Sequence, residues 1–252
     1  MTVKELYSRL AQRIPPSLSE VWDNDGIMCC PDASREVKSI LFALDVTDDV
    51  VAHASDVGAD LIISHHPLVF KPVSSLTEDE PVARRLISLV RAGISVFSFH
   101  TRLDRVAGGV NDVLARKLRL TDTLPLGEGE ASLGRIGTLS EEMPLEDFAE
   151  YVKIALGAPG VSVWDAGKSV SRVAIVGGEG KDFIEAAVMA GADTYLSGRL
   201  GYHVMQDSSV NLMEAGHYFT ERAVTEMLRD LAKEIVPEAK TEIYTPSPLA
   251  FY

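Results

Sequence analysis

The 252-residue sequence predicts two related α/β domains in tandem, with a metal site in the cleft between them. Three observations carry that reading. Short, β-branched apolar runs alternate with segments of helical period, the pattern of α/β layers. The chain repeats itself at a fixed offset, so one supersecondary unit occurs twice. A turn-rich stretch containing Pro125, Gly127 and Gly129 supplies a joint between the copies. The first domain is placed at residues 1–126 and the second at 127–252.

Taken in order, Thr2-Val3-Lys4-Glu5 is a capping-box pattern, and Leu6, Leu10 and Ile14 follow at helical spacing, so a helix opens the chain. Residues 38–45 read as a strand and 48–57 as a helix. The unbroken run Leu61-Ile62-Ile63 reads as a buried strand that stops near Pro67, which has no N–H for a sheet ladder. Residues 80–92 form a helix with Val82, Leu86, Leu89 and Val90 on its apolar side. A strand at 94–99 leads into the loop of Asp104, and 110–118 is helical. The second copy opens with a strand at 134–139. Pro144 then starts a helix that places Leu145, Phe148, Val152 and Leu156 on one face. Residues 200–207 suit a short helix and 221–235 a long one.

The repeat is explicit. Residues 38–45 resemble residues 171–178, and Gly58-Ala59-Asp60 through Ser64 matches Gly191-Ala192-Asp193 through Ser197, both 133 positions later. His100 with Asp104 recurs 117 positions later as His217 with Glu221, and Trp22-Asp23 has an echo in Trp164-Asp165. At the positions matching His65-His66 the second copy has Gly198-Arg199, so only the first kept an imidazole pair.

That pair is the most informative feature. His65 and His66 stand at the C-terminal tip of a buried strand, the rim where α/β sheets bind ligands. The His100/Asp104 and His217/Glu221 pairs also follow apolar runs, and a four-residue spacing puts both members on one helix face. Together these residues offer six nitrogen and oxygen ligands, where one tetrahedral ion needs four. The surplus suggests two ions with a shared carboxylate. Imidazole and carboxylate without thiolate suit zinc, iron, manganese, nickel or cobalt and do not choose among them.

These residues resemble the GTP cyclohydrolase I type 2 family, also called the NGG-interacting-factor-three-like family. The likeness rests on residues 60–73, on His100 to Asp104 with Gly108 to Asp112, on Ala215 to Tyr218 with Glu221, and on Trp22-Asp23-Asn24. It spans nearly the whole chain. It implies a toroidal homohexamer with a dinuclear metal centre in each subunit. The ligands it implies are His65, His66, Asp104, His217 and Glu221, with Glu221 bridging and His100 a near neighbour. The chain departs from the family pattern at Arg102, Arg199 and Asp25, where an Asn, an Asp and an apolar residue are usual. Those departures bear on the substrate.

Composition narrows the function. A net charge of −13 argues against a general nucleic-acid surface, though metal ions still allow an anionic ligand. No apolar stretch spans a bilayer and no signal-peptide block is present, and the adjacent Cys29 and Cys30 make no disulfide framework, so a reducing cytoplasm is expected. Arg102, Arg199, His100 and His203 are candidates to contact substrate, with local ion pairing the alternative for the arginines. Gly177-Gly178-Glu179-Gly180 is either a phosphate loop or a tight turn. His53 lies mid-helix, and Phe251 and Tyr252 are free to dock at the core or a subunit contact. The expected activity is metal-assisted hydrolysis of a small anionic metabolite, with nucleotides the leading class. Purine-ring opening and phosphoester hydrolysis both suit it. The alternative is a hexameric metal-binding or adaptor protein without turnover.

Overall fold

The capping box forms as its spacing predicts. Thr2 Oγ1 accepts from the Glu5 amide at 3.3 Å and the Glu5 carboxylate accepts from the Thr2 amide at 2.9 Å, starting α1 (Val3–Arg13). In this computed structural model the described residues are 1–127, 133–206, 208–247, 249 and 250. Gly129 of the expected joint, Asp207, Phe251 and Tyr252 lie outside them.

After α1 come β1 (Gly26–Cys29), β2 (Ser39–Ala43), α2 (Asp48–Asp56), β3 (Leu61–Ser64), α3 (Pro81–Ala92), β4 (Ser95–Ser98) and the short α4 (Thr101–Arg105). The next stretch contains α5 (Val110–Lys117), β5 (Thr121–Leu126), β6 (Gly134–Met143), α6 (Leu145–Leu156), β7 (Ser162–Trp164) and β8 (Val170–Glu179). It continues with α7 (Ile184–Met189), β9 (Thr194–Arg199), β10 (Asn211–Glu214) and α8 (His217–Glu221). The chain closes with α9 (Val224–Ile235) and β11 (Lys240–Ile243).

Two compact units result, and they correct the expected boundary. The first comprises Met1–Val106 and Val224–Leu249, and the second is built on Ala107–Ala223. The expected division near residue 126 misses the return of the chain. β11 pairs in parallel with β2, Thr241 opposite Ile40, which draws α9 and β11 back into the first unit. The stretch around Pro125, read as a joint, is instead the edge strand β5, paired antiparallel with β6.

The first unit's sheet has the order β1-β4-β3-β2-β11. β2, β3, β4 and β11 run parallel, and β1 is an antiparallel edge. Both faces are covered, as a parallel sheet requires. Leu41, Ile62 and Val96 pack in one cluster with Val50, Ala54 and Leu89 of α2 and α3. Their neighbours Ile40, Phe42, Ile63 and Phe97 are also fully buried, because alternate side chains point to the opposite face.

The second unit's sheet has the order β5-β6-β8-β9-β10-β7, with β8, β9 and β10 parallel. Its core includes Ile136, Ala174, Val176, Tyr195 and Leu212. The repeat reappears as matched geometry. Ile40 lies opposite Leu61 in the first sheet, and Val173 opposite Thr194 in the second. Asp60 accepts from the Lys38 and Ser39 amides at 2.8 and 3.0 Å, and Asp193 accepts from the Ser171 and Arg172 amides at 2.9 and 2.6 Å. The Trp echo does not hold, because Trp164 lies in β7 while Trp22 sits in a turn. No helix among the described residues is long and apolar enough to cross a membrane.

Candidate metal centre

In the first unit the candidate ligands stand at the C-terminal rim of the sheet. β3 is an interior strand, so its tip is fixed from both sides. The Phe99 amide donates to the Ser64 carbonyl at 2.9 Å and the His66 amide to the Leu44 carbonyl at 2.9 Å, which locks the backbone on either side of His65.

Each imidazole is then oriented through Nδ1. His65, fully buried, lies with Nδ1 2.8 Å from the Phe99 carbonyl. His66 Nδ1 is 2.7 Å from Asp45, and His100 Nδ1 is 2.8 Å from Asp23. A carbonyl and two carboxylates can only accept, so the proton belongs on all three Nδ1 atoms and the lone pair on Nε2. Metal-ligating histidines are set by outer partners in this way. Burial pushes the Asp23 carboxyl up, but hydrogen bonds from His100 and Thr101 outweigh it and bring it down to about 2. Asp23 is therefore a dependable acceptor at neutral pH.

The rings converge. One nitrogen from each of His65, His66 and His100 lies within 4.8 Å of the other two, close enough to serve one cation. Asp104, on the short α4, brings its carboxylate 3.7 Å from His65 Nε2. His100 is the residue before that helix and turns to Asp23, so the four-residue spacing does not by itself describe the pair. The donor set is imidazole and carboxylate, which suits a divalent transition metal.

The second unit carries the other pair on α8, where His217 Nε2 is 3.0 Å from the buried Glu221 carboxylate. Glycines make room for it. Gly178 has φ +68°, and a Cβ there would lie 2.2 Å from Glu221 Oε1 and 3.2 Å from His217 Nε2. Gly198 is the repeat equivalent of His65, and a Cβ there would lie 2.8 Å from the His217 Cα and 2.6 Å from Thr220 Oγ1. α8 occupies the space that a side chain at this position would need.

The family model of Duf34/NIF3 (NGG1p interacting factor 3) matches residues 1–247. The chain belongs to the Duf34/NIF3 family. It is 33% identical over 243 residues to a Clostridium perfringens protein called GTP cyclohydrolase 1 type 2 homolog, covering 93% of this chain and 92% of that one. A Lactococcus lactis protein of the same description is 35% identical over 237 residues, with 91% of each chain covered. A Staphylococcus aureus hypothetical protein of solved structure superposes with TM-score 0.93 at 28% identity, over 100% of this chain and 99% of that one.

The remaining candidates in this Duf34/NIF3 chain fall in other places. Arg102 is fully buried, with Nε 2.9 Å from Asp25 and Nη1 3.2 Å from the Ile14 carbonyl, and its guanidinium lies 4.7 Å over the Phe99 ring. Two of the three departures from the family pattern thus pair with each other, and the ion-pair alternative describes Arg102. Arg199 is exposed at the end of β9, and His203 is exposed on the turn Tyr202–Met205 against the Tyr202 ring. The Gly177-Gly178 segment is no phosphate cradle. Its amides donate to Asn111 at 2.8 Å and Thr220 at 3.1 Å, and the Gly180 amide to the Arg199 carbonyl at 3.1 Å. His53 pairs with Glu242 at 2.6 Å and stacks on Tyr244. Sequence reasoning missed Asp23 and Asp45 as partners of the imidazoles. The signal available was position alone: Asp45 ends a strand of the repeat, and Asp23 lies within the Trp22-Asp23-Asn24 motif.

Proposed function

We propose that the chain is a metal-dependent hydrolase of a small anionic metabolite, with nucleotides the leading class. In this reading His65, His66, Asp104, His217 and Glu221 hold two divalent ions, and Glu221 is shared between them. The observation that carries the reading is the common orientation of His65, His66 and His100, each fixed through Nδ1 with the lone pair left on Nε2. Bound ions there would supply Lewis acidity and bring a water's pKa toward neutrality. The chain's own contribution is orientation and proton handling. Asp23 holds the His100 ring so that a proton is gained or lost at Nε2, beside the ligand pair.

The test is a screen of metal-loaded protein against nucleotides and phosphoesters. Turnover that disappears on chelation and returns with metal is the expected result. Metal uptake without turnover across the panel would favour the alternative, a metal-binding or adaptor protein.

A homohexamer and a cytoplasmic setting belong to the same proposal. The ring follows from the family resemblance, and the unpaired thiols of Cys29 and Cys30 suit a reducing compartment. Light scattering is expected to give a mass near six times 27.3 kDa. A monomer at low micromolar concentration would remove the ring.

A further inference from the structure

We infer that Trp22, Phe70 and His100 form a subsite for a flat heteroaromatic ring, so that the ligand of the metal centre carries a nucleobase-like group. The inference deepens the hydrolase reading and takes its location from the metal site proposed there. Trp22 is 64% exposed and Phe70 47% exposed. Large aromatic rings left in water give up much of the stabilisation that burial brings, and clustered exposure of this kind marks binding surfaces.

The three rings are mutually close to perpendicular. Trp22 and Phe70 lie 6.2 Å apart at 68°, Trp22 and His100 6.5 Å apart at 79°, and Phe70 and His100 6.2 Å apart at 87°. A planar ring stacked on one of them would present its edges to the other two, and both arrangements are favourable for aromatic pairs.

The rings are also held in place. The Asn24 side chain donates to the Val69 carbonyl, tying the residues beside Trp22 to those beside Phe70. Asp23 is anchored by the Thr101 amide at 3.0 Å and hydroxyl at 2.6 Å. A platform ordered in advance loses little entropy on binding.

Scale and charge identify the occupant. The His100 ring lies 5.4 Å from His65 and 5.8 Å from His66, so one small molecule reaches both the platform and the ligand nitrogens. A protein interface needs about 800 Å² per partner, far beyond three rings. A chain of net charge −13 is a poor surface for a nucleic-acid polymer, whereas a single nucleotide brings only its own phosphates, whose charge bound metal ions would offset.

The experiment uses the full-length, metal-loaded protein with guanosine 5′-monophosphate, guanosine and ribose 5-phosphate as probes. A Trp164→Phe background isolates the fluorescence of Trp22, since the chain has two tryptophans. Both ring-bearing probes are expected to quench Trp22, and the nucleotide to bind about tenfold more tightly than ribose 5-phosphate, as base stacking implies. Trp22→Ala and Phe70→Ala should each remove most of that advantage while metal content and the number of subunits per assembly stay unchanged. Equal affinity for ribose 5-phosphate, absence of quenching, or undiminished binding in Trp22→Ala would overturn the subsite. A change in the number of subunits per assembly in Trp22→Ala would also overturn it, by assigning the patch to self-association. Guanosine needs no metal to stack, so quenching by guanosine in a protein that retains no ions would sink the metal reading and support the subsite.

Discussion

Arg102→Ala is expected to destabilise the first unit by about 3–5 kcal/mol, the cost of leaving a buried charge without its partner. Arg102 is fully buried and its Nε lies 2.9 Å from Asp25, whose side chain is 6% exposed. Without the guanidinium, Asp25 keeps the Ser19 hydroxyl at 3.0 Å and the His100 amide at 3.3 Å, but no cation. The variant also loses the cation–π contact with Phe99 and a hydrogen bond to the Ile14 carbonyl. Asp25→Ala should cost a similar amount, because it strands the arginine instead. Replacing both at once, as Asp25→Leu with Arg102→Met, should cost far less than the two single changes added together, since apolar groups of similar volume need no countercharge. Urea unfolding of the four proteins measures this directly. A loss under about 1 kcal/mol in Arg102→Ala would mean that the pair behaves as an exposed ion pair.

How much of this was legible in the sequence depends on the range of the interaction. The capping box of α1, the strand ending at Ser64 and the Pro144 helix start are local signals, and each formed where its residues predicted. The repeat was legible as well, because Asp60 and Asp193 make equivalent hydrogen bonds to two backbone amides and so constrain the residues around them alike. β1 and β11 were missed. Each is a four-residue strand at a sheet edge, and the alternately exposed residues of β11 carry almost no apolar signal. The boundary error has the same origin: no local pattern at Thr241 announces a partner at Ile40. At the site, the ligand-type residues could be read from their chemistry, but their orienting partners could not. Asp45 approaches His66 because β2 and β3 are parallel neighbours, and Asp23 approaches His100 because the chain before β1 folds over α4. Gly178 read as part of a phosphate loop or tight turn and Gly198 only as the repeat match of His65, yet both leave volume for α8, which only tertiary packing reveals.

The largest functional effect is expected at His65. Its ring is fully buried and held through Nδ1 by a main-chain carbonyl, so its place at the centre is fixed by the backbone of the strand tip. Metal-loaded His65→Ala should retain well under half of the native metal after dialysis, measured by elemental analysis. Unchanged stoichiometry would remove the first-unit cluster from consideration as a metal site. Asp45 provides a finer test of the same geometry, because it acts on His66 only through the Nδ1 contact at 2.7 Å. Asp45→Ala leaves that ring free to rotate or change tautomer and should weaken metal binding by about 10–100-fold, as loss of an orienting partner does. Asp45→Asn keeps an acceptor oxygen and lacks the charge, so it should fall between the native protein and Asp45→Ala. Competition against a chelator of known affinity separates the three. If Asn and Ala weaken binding equally, the negative charge of Asp45 matters more than the ring orientation it enforces. If neither changes affinity, the Asp45 contact does not set the strength of the centre, and His66→Ala then tests His66 as a ligand directly.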